Sequence, residues 1–179
     1  GSKKFLAWNT NVVIRSLFLV TKVANDYSAP IGSYQPMMGA VSHFTRQVSQ
    51  IWSPVGQLTV RSGACYLDGE LVNPGQFTLT LNSFVVLGQV MEGSSIANAF
   101  ACEAYLYTDP LTRANRTGGL QLAEVLIYDR KLTERESLDA QAYLNWKWFG
   151  RVSPGYAAPG GSMSLASVSS STSVGQSTL

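Results

Sequence analysis

Helical periodicity occurs once in this chain, near its far end, and the residues before it are short β-prone runs cut by turn chemistry. That asymmetry excludes a helix bundle and an alternating βα chain. The helical stretch opens on Thr133-Glu134-Arg135-Glu136, a capping box. In it the Thr133 hydroxyl accepts from the Glu136 amide, and the Glu136 carboxylate returns to the Thr133 amide. Leu138, Ala142 and Trp146 follow at helical spacing, Leu144, Trp148 and Phe149 extend the apolar side, and Gly150 stands where a C′ residue ends a helix. The pattern predicts a helix over 133–149, packed through Leu138, Ala142 and Trp146. On this reading Trp146 is a core residue, and its truncation to Ala costs about 3–5 kcal/mol.

Everything upstream reads as strands. Val12 to Val20 is β-branched and aromatic, as expected of a central, largely buried strand. Ala24 to Pro36 is a long loop, and Met37 to Thr45 and Gln57 to Val60 read as further strands. Ala64 to Val72 is a hairpin with Asp68-Gly69 at its tip, the pair that supplies the two positive φ angles of a type I′ turn. Phe77 to Leu81 alternates apolar and polar, and Phe84 to Gly88, Ala101 to Tyr107 and Leu122 to Tyr128 complete the set. The expected fold is all-β, a two-sheet antiparallel β-sandwich with one C-terminal helix.

Composition narrows the partners. Charged residues are 13% of the chain and Lys+Arg exceeds Asp+Glu by only +2, too little for a phosphate-tracking surface, so nucleic acid is not expected. Val12 to Val23, the most apolar run, is broken by Arg15 and Lys22 and falls short of the ~20 residues of a membrane span, so no membrane insertion is expected. Two cysteines, Cys65 and Cys102, lack metal-ligand spacing; they either pair as a disulfide or remain two small buried hydrophobes. Residues 152–179 hold no charge and are rich in Ser, Gly, Pro and Ala, which sets a boundary after residue 151. Within that tail Ser162 to Val168 alternates like a strand, leaving two readings, a linker or a docked strand available for exchange.

The segment from Gly118 to Gly150, with Leu122-Ala123-Glu124-Val125-Leu126-Ile127-Tyr128-Asp129-Arg130 and then Tyr143-Leu144-Asn145-Trp146-Lys147-Trp148, resembles the end signature of LamG-like, concanavalin A-like lectin/glucanase domains. Val13 to Val20, Met37-Met38-Gly39 with His43-Phe44, and Tyr66 to Glu70 are similar to earlier strands of that superfamily. The resemblance implies a jelly roll over residues 1–151, of the kind found in bacterial secreted or cell-surface proteins. It also implies a domain that is either N-terminally incomplete or completes its sheet from elsewhere, since relatives carry several tens of residues before the strand matching Val12. Gly1-Ser2 itself reads as an expression-vector remnant.

Two functions compete on this reading. One is a non-catalytic, lectin-like module binding glycan or mediating adhesion; the other is a structural or assembly module of a stalk, autotransporter passenger or phage fibre, contacting a neighbouring protein module. A degenerate glycoside hydrolase is a third. Against catalysis, the strand-borne acids Glu103 and Asp109 stand roughly 20 Å apart in an extended strand, where a glycosidase pair needs about 5–9.5 Å. The one histidine, His43, has no triad partners in evidence. A sugar site needs a flat aromatic beside polar groups; Tyr34, His43 and Trp52 are the candidate ligand residues, with Tyr27 and Trp8 in similar stretches. Trp52 has an alternative role, covering the end of the sandwich. No cofactor is expected beyond a calcium ion, for which Asp26, Glu92, Asp109 and Asp129 are the loop acids.

Overall fold

A computed structural model describes residues 6–23, 31–32, 51–52, 58–80, 82–100 and 120–151. The elements are β1 (Leu6–Val23), β2 (Ile31–Gly32), α1 (Leu58–Arg61), β3 (Ala64–Leu67), β4 (Glu70–Val72), β5 (Phe84–Phe100), β6 (Leu120–Tyr128) and α2 (Glu134–Phe149). The chain is mostly β. Its strands form one antiparallel sheet in the order β4-β3-β5-β1-β6, with β2 pairing to the far end of β5. Met37 to Thr45 and Ala101 to Tyr107 lie outside the described residues.

β1 is central because both of its faces are apolar. Ile14, Leu17, Leu19 and Val23 enter one cluster with Ile51, Trp52, Val60, Cys65, Leu79, Leu87 and Met91. Phe18 and Val20 enter a second on the opposite face, with Tyr66, Val86, Val90, Leu132, Ala140 and Leu144. Two buried polar residues on β1 are satisfied by the neighbouring strand and turn. The Ser16 hydroxyl donates to Arg130 O (3.0 Å) and accepts from the Leu132 amide (3.0 Å), and the Thr21 hydroxyl donates to Gln121 O (3.1 Å). These contacts fix where β6 ends and α2 begins.

The β3–β4 hairpin turns as its residues dictate, with φ of 51° at Asp68 and 97° at Gly69. Asp68 also locks the hairpin to β5, its carboxylate accepting from the Val86 amide (2.8 Å) and its own amide donating to Val86 O (2.8 Å). Its role is the turn.

Two expected strands are corrected. Residues 58–61 form α1 instead of a strand; four residues carry too little periodicity to separate the two conformations. The helical turn is closed by Ser62 N donating to Leu58 O (2.8 Å), and Gly63 leaves it at φ 98°. No side chain fits at Gly63, where a Cβ would lie 2.1 Å from Val90 O. Among the described residues, 77–80 pair with no strand: Leu79 is buried, whereas Phe77 is 43% exposed, so this stretch seals the core edge with one side chain.

α2 has the termini its sequence implies. Thr133 accepts from the Glu136 amide, Glu136 accepts from the Thr133 amide (2.9 Å), and Gly150 adopts the left-handed conformation at φ 62°. Its buried face is a correction. Ser137, Ala140, Gln141, Leu144 and Asn145 face the sheet, Leu138 and Ala142 are half-buried, and Trp146 is 67% exposed. The helix sits so close to the sheet that only small or slender residues fit beneath it. A Cβ on Gly88 of β5 would come within 2.4 Å of Gln141 Nε2. An indole cannot enter that gap, so the helix turns Trp146 outward. Leu144→Ala should therefore cost about 2–5 kcal/mol, while Trp146→Ala should stay within about 0.5 kcal/mol. Thermal denaturation of the two variants checks the helix phase, and the reverse ranking would refute it.

Candidate binding groove

β6 presents Leu126 and Tyr128 on the face that α2 covers, and α2 presents Glu136, Asp139, Ala140 and Tyr143 at helical spacing along one flank. The turn between them adds Arg130 and Leu132. Together these eight residues line an open groove of about 280 Å³. Its floor is rigid: the Tyr128 ring meets Phe18 edge-to-face, centroids 6.2 Å apart at 85°. Burial pushes the Tyr128 phenol above its usual range, with Arg130 opposing, so it stays neutral and offers a hydroxyl.

The charged rim is already paired. Arg130 grips Glu136 through two hydrogen bonds (3.0 and 2.7 Å), and the Thr133 amide and hydroxyl each donate to the same carboxylate (2.9 Å). Arg130 first, then Thr133, hold the Glu136 carboxyl down to about 2. Asp139 pairs with Arg135 at 3.4 Å. At the other end the Tyr143 hydroxyl donates to Glu124 (3.2 Å) and accepts from Lys147 (2.8 Å), and Lys147 and Trp148 Nε1 also donate to Glu124. Burial acts to raise the Glu124 carboxyl, but those donors together hold it below the ordinary range.

This arrangement holds aromatic faces beside hydroxyl, carboxylate and guanidinium groups. Glu136 serves the helix cap: a general-acid carboxyl is raised towards neutrality, whereas Arg130 and Thr133 hold Glu136 the other way.

The structure distributes the expected site residues differently. Tyr34 and His43 lie outside the described residues, as do Tyr27, Asp26 and Asp109. Trp52 is no open platform: it is 3% exposed, and its Nε1 donates to Gln89 Oε1 (2.8 Å). Gln89, itself 1% exposed, spends its amide nitrogen on Ser62 O (3.1 Å), so Trp52 is a core residue held by a buried amide. Cys65 is a free and fully buried thiol, pushed up to about 12 by burial, against a hydrogen bond from Trp52. Its proposed partner Cys102 lies outside the described residues. Of the calcium candidates, Glu92 is paired with Lys131 (2.7 Å), and among the described residues no three acids, histidines or cysteines converge. Among those residues, too, no helix is long and apolar enough to cross a membrane.

Sequence reasoning missed the groove because it joins a strand to a helix flank. The available signal was Tyr128 two residues before Arg130, followed by Glu136, Asp139 and Tyr143 at one-sided helical spacing. Compared with protein-family models, with curated proteins and with solved structures, the chain matches none.

Proposed function

We propose that the chain is a non-catalytic, lectin-like module of a secreted or cell-surface protein, and that it binds carbohydrate in the β6–α2 groove. The observation that carries this reading is the pairing of Tyr128 and Tyr143 with a hydroxyl, carboxylate and guanidinium rim in a concavity sized for one or two sugar rings. Sugars offer CH faces to aromatic rings and hydroxyls to charged rims, so this is the lining they favour. The LamG-like resemblance of Gly118 to Gly150 falls on the same strand and helix. A two-sheet jelly roll fits as well, since the sheet face opposite α2 is almost fully covered, with Ile14 and Leu19 at 0% and Leu17, Leu87 and Met91 at 1% exposed.

Glycan-array screening of the whole chain, beside Asp139→Ala, Tyr143→Ala and Trp146→Ala, tests the reading. The expected result is binding that falls at least tenfold in the first two variants and persists in the third, whose exposed ring is not part of the groove lining. Absence of binding by the parent chain, or binding indifferent to both groove substitutions, would overturn it.

A further inference from the structure

The two ends of the sheet are built differently. At one end β4 is three residues long and begins on an exposed Glu70, a short, charged edge of the kind that resists further pairing. At the other end β6 is nine residues long, and among the described residues β1 alone pairs with it. β6 carries no Lys, Arg or Pro, and its one charge, Glu124, is drawn to Lys147 on the helix (2.9 Å). Its apolar side chains are half-buried on both faces: Leu122, Val125 and Ile127 flank one core cluster, and Ala123, Leu126 and Tyr128 the other. On β1, one strand further in, Leu17, Phe18, Leu19 and Val20 are at most 1% exposed. That contrast is what one missing neighbour produces, because a further strand would cover both faces of β6 and pair its outward amides and carbonyls.

The chain itself supplies a candidate. α2 packs over β5 and β1, and side chains of its last turn reach β6 through Lys147 and Trp148 on Glu124. The backbone therefore leaves Arg151 beside β6, with 28 uncharged residues to follow. Ten residues separate Arg151 from Ser162; extended, they reach about 33 Å. Nine strand residues span about 30 Å, so either end of β6 is within range. Ser162 to Val168 is close to the usual strand length and free of the charges that would resist burial.

We propose that Ser162–Val168 of the same molecule adds to the free edge of β6 as the next strand of the sheet. The inference is independent of the groove and survives if no sugar binds.

Hydrogen exchange on the full chain, with thermal denaturation and light scattering, tests it. Three proteins are compared: the parent, a variant ending at Pro159, and full-length Leu165→Pro made together with Ala166→Pro. Alternate amides of an edge strand face its neighbour, so this pair removes a ladder donor in either register and is harmless in a spacer. The expected result is a monomeric parent with β6 amides protected beyond those bonded to β1. Both variants should lose that extra protection at least tenfold and melt several degrees lower. If the shortened chain fails to fold, the double-proline variant carries the test alone. Unchanged protection and melting in the double-proline variant would overturn the proposal, leaving the tail a spacer. A parent dimer that the truncation converts to monomer would also overturn it, by placing the strand on a second copy.

Discussion

Phe18→Ala should lower stability by about 3–5 kcal/mol, the usual cost of truncating a fully buried phenylalanine. For a domain of this size that is a fall of about 6–20 °C in melting temperature. Phe18 is 0% exposed on the central strand and lies in the cluster that joins the sheet to α2. Its ring also supports Tyr128 edge-on, so the loss should reach the groove floor. No neighbour can refill the space cheaply, because Val20, Val86 and Leu144 are themselves at most 1% exposed and close-packed. Calorimetry on the purified variant measures the loss. A change under about 1 kcal/mol would mean that Phe18 is not between sheet and helix.

The second large effect is expected from adding one methyl group. Gly88→Ala places a Cβ 2.4 Å from Gln141 Nε2 and 2.7 Å from the Phe18 ring. Gln141 is fully buried and its other amide atom accepts from the Gly69 amide (3.1 Å), so it cannot swing aside without releasing the β3–β4 turn. Overpacking of this kind costs about 1–3 kcal/mol. Urea denaturation of Gly88→Ala, Gln141→Ala and the double variant should show coupling of at least about 0.5 kcal/mol, because shortening Gln141 removes one of the two clashes. Additive losses would place the helix further from the sheet than described.

Much of the local structure was legible in the residues themselves. The limits of α2, the Asp68-Gly69 turn and the central position of β1 each depend on a few adjacent side chains, and each took the expected form. Candidate site residues were less legible. Trp52 lies beside polar residues in sequence, yet a buried amide from β5, 37 positions away, draws it into the core. The groove itself was invisible, because it depends on the angle at which a strand and a helix are set.

What the sequence by itself determined are the features held by short-range chemistry: a cap hydroxyl three residues from its amide, a left-handed glycine, a run apolar on both faces. What only the tertiary structure decided is the phase of α2. That helix carries apolar residues on more than one stripe, Leu138, Ala142 and Trp146 on one, Ala140 and Leu144 on another. Hydrophobicity favours the stripe with the indole, but sterics override it. Gly88 brings the backbone of β5 close to the helix, and at that separation Ser137, Ala140 and Gln141 fit where Trp146 cannot. The short-range choice between stripes was open, and the distance between two elements distant in sequence closed it.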